Sequence, residues 1–237
     1  VSIAADPATS RPQTGIRLWA FIPYVVVAAL HVIALAVHND TIAAPTKLAL
    51  MPLLALAVLW TGRGTGWGRP FSLLFLALAL SWLGDGAATF FPFAPTLPMM
   101  LACFGLAHVC YIILFTRYLA RGRVPLWAAT YAVWWVALLA VLAPALLSAE
   151  GGIGWLIAIG AYGLLLGATA ASASRSTPAV ALGGVLFLAS DSILAFRLFM
   201  PAAMPDWTSP AVMLTYCAGQ GLIAAGAVVL LRAKATR

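Results

Sequence analysis

Apolar stretches of about 20 residues recur along most of the chain, separated by short turn-rich breaks, and this pattern admits very few folds. Each stretch is long enough to cross a hydrocarbon layer as a helix. The breaks read HND, TGRGTGWGRP, PFAPT, RGRV, SAEGG, SASRSTP and PAAMPDWTSP, rich in glycine, proline and small polar residues. Composition closes off the soluble alternative. A soluble domain carries roughly a quarter charged residues, whereas this chain is 8% charged and 64% hydrophobic, with mean hydropathy +1.03. Alanine and leucine runs replace the polar–apolar alternation of a transmembrane β-barrel. The fold class is therefore all-α, a polytopic transmembrane bundle. Eight spans are predicted, near residues 18–37, 42–60, 71–91, 97–115, 125–147, 153–171, 179–199 and 211–231. Short connections make neighbouring helices antiparallel within one domain, residues 16–237, preceded by a flexible, proline-containing cytoplasmic tail, residues 1–15.

The formal net charge of +7 does not point to nucleic acid, because the basic residues lie in short loops and form no basic domain. They sort by side instead. Arg11, Arg17, Arg63, Arg69, Arg117, Arg121, Arg123, Arg175, Arg232, Lys234 and Arg237 fall on one side. Lys47 and Arg197 fall on the other, with Asp40, Glu150 and Asp206. The positive-inside rule then places both termini in the cytoplasm, in keeping with a bacterial inner membrane. The first apolar stretch is too long for a signal peptide's core and reads as a retained helix. Cys103, Cys110 and Cys217 all lie in apolar segments without a CxxC, and so read as buried thiols. Three histidines without HxxxH or HExxH, and no GxSxG, argue against zinc or a serine nucleophile. No cofactor is expected. The sequence carries no signal of oligomeric state.

Two acids remain inside apolar spans, Asp85 and Asp191. An ionised carboxylate at mid-membrane costs at least ~2.5 kcal/mol, so such residues line cavities, meet a cation or hydrogen-bond strongly. Counted from the outer helix ends, Asp85 lies roughly 9 Å deep and Asp191 roughly 13 Å. Both fit one site in the outer half of the bilayer. The plain alternative is a hydrogen-bond partner in helix packing. Two carboxyls in opposite protonation states make a general acid and a general base. His108 and Tyr111, three apart, share a helix face, as do Tyr216 and Gln220, four apart. Each pair fits a substrate-binding strip or interhelical glue. Lys47 suits a lipid phosphate or plain snorkelling. Arg197, six residues past Asp191, is off its face and reads as snorkelling to the surface. His31 and His38 carry no site in this reading, and GIGWLIAIGAYG reads as a close-packing surface.

LSWLGDGAATF and FLASDSILAF each place a small residue before an aspartate and a phenylalanine five residues after it. FGLAHVCYI and YCAGQGLIA then align His108 with Gln220, which suggests a 4+4 tandem repeat.

The order PTKLALMPLL, SWLGDGAATF, GLAHVCYIILF, GGVLFLASDSILAF and TYCAGQGLIAAG resembles the YhhN-like lysoplasmalogenase family. The family usually has Lys-Pro where this chain has Lys47-Leu48, and Ala-Gln where it has Gly219-Gln220. The resemblance implies an integral membrane alkenyl ether hydrolase that cleaves the vinyl ether of a lysophospholipid to a fatty aldehyde and a glycerophospho-alcohol. It matches the family's essential aspartates to Asp85 and Asp191. The implied partners are membrane lipids and the lysophospholipid substrate. A different class fits the same acids, a proton- or cation-coupled transporter, for which the glycines around Asp85 offer a helix break. An intramembrane aspartyl protease would need glycine at position 82, where the chain has Trp82.

Overall fold

The computed structural model describes residues 18–235. The expected tail, residues 1–15, lies outside them, as do Arg11, Arg17 and Arg237. Every regular element among the described residues is helical. A short 3-10 turn, Leu18–Phe21, leads into α1 (Ile22–Ala36), followed by α2 (Asp40–Thr61), α3 (Arg69–Asp85) and the four-residue α4 (Ala87–Phe90). Next come α5 (Thr96–Leu114), widened at its end into a π-type turn (Phe115–Leu119), then α6 (Thr130–Ser148), α7 (Gly152–Ala173), α8 (Pro178–Phe199) and α9 (Thr208–Ala235). Local chemistry sets several starts. Asn39 accepts the Ile42 amide at 3.2 Å to open α2, and Thr177 accepts the Val180 amide at 3.4 Å to open α8 ahead of Pro178.

Seven described helices are long and apolar enough to cross a membrane, so the chain is a multi-pass membrane protein. The exception is the third predicted span, residues 71–91. There α3 stops at Asp85 after 17 residues, and the chain restarts as α4. The chain turns at Gly86: its N–H closes the last turn of α3 on the Trp82 carbonyl at 3.0 Å, its own carbonyl opens α4 by accepting from Thr89 and Phe90 at 2.8 Å, and a Cβ there would collide with the Phe90 ring.

Two features fix α3 in the bundle. Pro52 has no N–H to give the Leu48 carbonyl one turn back, and the Trp82 indole donates to that carbonyl at 2.9 Å instead. This ties α3 to the turn of α2 that carries Lys47. On the other side α3 packs along α5, and α8 packs still more closely along α9. A Cβ on Gly183 would stand 2.8 Å from the Gly219 carbonyl oxygen, so α8 and α9 touch backbone to backbone. Phe187 fills the centre, with ring centroids 4.7 Å from His108 and 5.4 Å from Tyr216.

Three of the loop cations counted for orientation bond to backbone carbonyls of neighbouring loops and helix ends. Arg175 donates to the Gly122 carbonyl at 2.9 Å, Lys234 to that of Tyr118 at 2.6 Å, and Arg232 to that of Thr61. The three cysteines are buried and unpaired.

Candidate active site

Asp85, the last residue of α3, and Asp191, in the middle of α8, line one cavity of about 130 Å³. That volume lies in the range where an apolar cavity admits a small hydrocarbon or several waters. The wall is almost wholly apolar, built from Met100 and Phe104 of α5, Leu138 of α6, Ile159 of α7, Leu194 of α8 and Met213 of α9. Lys47 reaches the same cavity from α2.

Each carboxyl receives a tyrosine hydroxyl from another helix. Tyr216 of α9 donates to Asp85 Oδ2 at 2.7 Å, and Tyr162 of α7 donates to Asp191 Oδ2. His108, fully buried on α5, stands behind the second pair. Its Nε2 is 3.4 Å from the Tyr162 hydroxyl and 3.9 Å from Asp191 Oδ2. The Thr169 hydroxyl proton goes to the Leu165 carbonyl at 2.8 Å, so Thr169 can only accept from His108 Nδ1, 3.1 Å away. That places a proton on Nδ1. Nε2, the other ring nitrogen, faces Tyr162 and Asp191. Asp191, Tyr162 and His108 thus form a chain along which a proton can shift.

The Asp85 side is a two-rung ladder. Tyr216 and Gln220, four apart on α9, meet Asp85 and Ser81, four apart on α3, with Gln220 Nε2 donating to Ser81 at 3.1 Å. Tyr111 of α5 donates to Gln220 Oε1 at 2.5 Å and completes the second rung.

The residues singled out from sequence therefore divide. Asp85, Asp191, Lys47 and Tyr216 line the cavity. His108 lies behind Asp191. Tyr111 and Gln220 are fully buried, bond to each other and do not line the cavity. Tyr162, Ser81 and Thr169 were not foreseen. The only signal for Tyr162 was a lone hydroxyl in GIGWLIAIGAYG, a stretch whose glycines read as packing. Arg197 does not simply snorkel: it donates to Thr208 Oγ1 at 2.5 Å and closes the α8–α9 turn. Among the described residues no three His, Cys, Asp or Glu side chains converge as a metal site.

The profile of the YhhN family matches residues 42–227, from the start of α2 to the last turns of α9. The chain belongs to the YhhN family. The matched segment contains both aspartates and every residue hydrogen-bonded to them, while α1 precedes it. Membership agrees with the motif resemblance and is consistent with a lysoplasmalogenase-like role. Comparison with curated proteins gives no match, and neither does comparison with solved structures.

Proposed function

We propose that this YhhN family protein hydrolyses the vinyl ether bond of a lysophospholipid, using Asp85 and Asp191 as an acid–base pair. The observation that carries the reading is the placement of both carboxyls on one apolar cavity, each held by a tyrosine hydroxyl from a different helix. One carboxyl protonates the β-carbon of the alkenyl group, and the double-bond electrons form the new C–H bond. The resulting oxocarbenium ion lies beside the other, anionic carboxylate, which stabilises it and takes a proton from an attacking water. The hemiacetal so formed collapses to a fatty aldehyde and a glycerophospho-alcohol, and the proton returns to the first acid. The apolar wall accepts the first carbons of the alkyl chain, and Tyr162 with His108 gives Asp191 a route for its proton.

Eight crossings belong to the same reading, with α3 and α4 together as one interrupted span, both termini cytoplasmic and the membrane a bacterial inner one. A 4+4 repeat is supported by the swapped supports of the acids. The Asp of α3 is bonded from α9, and the Asp of α8 is backed from α5. The helix break at Asp85 favours a second reading, a proton- or cation-coupled transporter.

The deciding experiment is aldehyde release by the purified protein in detergent micelles from matched alkenyl, alkyl and acyl lysolipids. Aldehyde from the alkenyl compound alone is expected, with a normal solvent deuterium isotope effect, because proton transfer to carbon is slow. Fatty acid from the acyl compound without aldehyde from the alkenyl one refutes it. No product from any of the three in micelles, with substrate uptake in sealed vesicles, assigns the protein to transport.

A further inference from the structure

The aspartate cavity is smaller than a lipid chain. An apolar cavity of roughly 150 Å³ admits benzene, so one of about 130 Å³ encloses about six carbons. A longer alkyl group bound there has to project out of it, and the wall decides where.

Most of that wall is shut. A Cβ on Gly84 of α3 would stand 2.7 Å from the Phe104 ring, and one on Gly183 of α8 would stand 2.8 Å from the Gly219 carbonyl oxygen. The contacts of α3 with α5 and of α8 with α9 therefore leave no room for hydrocarbon. Leu166 of α7 and Ser190 of α8 are buried. Towards α2 the wall carries Lys47, whose charge hydrocarbon avoids.

One side differs. Leu97, Met100 and Leu101, in the first two turns of α5, line the cavity together with Leu198 and Phe199, at the end of α8. All five are apolar, and none is fully buried. Leu198 is 44% exposed. Among the described residues α5 and α8 make no extended contact with each other, so only side chains stand between them.

We infer that the alkyl chain of the substrate leaves the cavity over this rim, between the start of α5 and the end of α8, and that the site reads only about the six carbons next to the reacting bond. This rests on the lysolipid reading of the cavity and adds a chain specificity to it. Carbons beyond the rim lie in lipid or detergent both before and after binding, so they add little to affinity. Leu97, Leu198 and Phe199 thus determine where the enclosed part of the chain ends.

The test has a binding arm and a turnover arm, both on the full chain in detergent. In the first, a saturated ether lysolipid with a diazirine at about the eighth chain carbon, just past the enclosed part, is photolysed on the protein. Label that an excess of the same lipid without diazirine competes away is expected at residues 97–101 or 198–199. Competed label on α1 or α2 instead, or no competed label, overturns the inference. In the second, hexenyl, dodecenyl and hexadecenyl lysolipids are compared at equal surface concentration in mixed micelles. The dodecenyl and hexadecenyl compounds should turn over within about twofold of each other, and a sharp optimum at one length overturns the inference. Leu198→Trp and Leu97→Trp should each lower kcat/KM for the hexadecenyl compound about fivefold or more relative to the hexenyl one. Leu106→Trp, on a face of α5 that is 56% exposed and off the cavity, should leave that ratio as in the parent. An unchanged ratio in both rim variants, or an equal shift in Leu106→Trp, overturns the inference. The two readings fail separately. Competed label at the rim without aldehyde from any lipid defeats the hydrolase alone, and aldehyde release with the label elsewhere defeats this inference alone.

Discussion

Tyr162→Phe isolates one hydrogen bond at the proposed reaction centre. The substitution removes an oxygen and leaves the ring, whose edge-on contact with His108 has a centroid separation of 5.6 Å. The wall of the cavity is then nearly unchanged, and the variant should insert and melt like its parent. The lost hydroxyl donates to Asp191 Oδ2 and lies 3.4 Å from His108 Nε2. A hydrogen bond to a charged group contributes about 1.5–3 kcal/mol. With each 1.36 kcal/mol worth a factor of ten in rate, kcat should fall about 10- to 150-fold. KM should change little, because in the proposed reaction the alkyl chain is taken up by the apolar wall, Phe104, Leu194 and Met213 included, rather than by the hydroxyl. The assay is aldehyde release from an alkenyl lysolipid, read with a coupled dehydrogenase, beside a melting curve for each protein. A kcat within about twofold of the parent refutes a part for Tyr162 in the chemistry. A rate loss matched by an equal loss of thermal stability makes the residue structural.

Asp85→Asn and Asp191→Asn should each lower turnover by about 10² or more, since an amide keeps the size but cannot cycle a proton, while both variants still insert. Near-normal activity of either, in the same aldehyde assay, removes that residue from the mechanism. Gly219→Ala places a Cβ 2.9 Å from the Phe187 amide nitrogen and 3.0 Å from the Gly183 carbonyl, so α8 and α9 must separate. The expected loss is about 1–3 kcal/mol, read as a lower melting temperature, and an unchanged melt would mean the contact is not made. A reporter fused after Arg237 should be active in the cytoplasm, and activity on the far side reverses the charge-based orientation.

What the sequence reveals here is the local part of the structure. Apolar run length and the turn-rich breaks HND and SASRSTP locate α2 and α8 to within two residues, because both signals lie along one stretch of chain. The glycines around Asp85 offered a break there without deciding it, since glycines within an apolar run also mark helix contacts. The two aspartates stood out because charge in a membrane is unfavourable unless something compensates it. Their supports did not stand out. The ladder of Tyr216 and Gln220 on Asp85 and Ser81 depends on the register between α3 and α9, which no spacing within either helix encodes.

The early end of α3 has an electrical consequence. A helix carries roughly half a negative elementary charge at its carboxyl end, spread over carbonyls that no later amide satisfies. Here that end falls at Asp85, on the cavity itself rather than at the membrane surface. That helix end adds a negative potential there, opposite in sign to the charge that Lys47 brings to the same cavity. It favours a transition state that gains positive charge, as protonation of an enol ether does, and opposes the oxyanion through which an ester must pass. Extending α3 past Gly86 without interruption would carry those carbonyls away from the cavity, and with them part of the preference for an ether over an ester that the proposed reaction calls for.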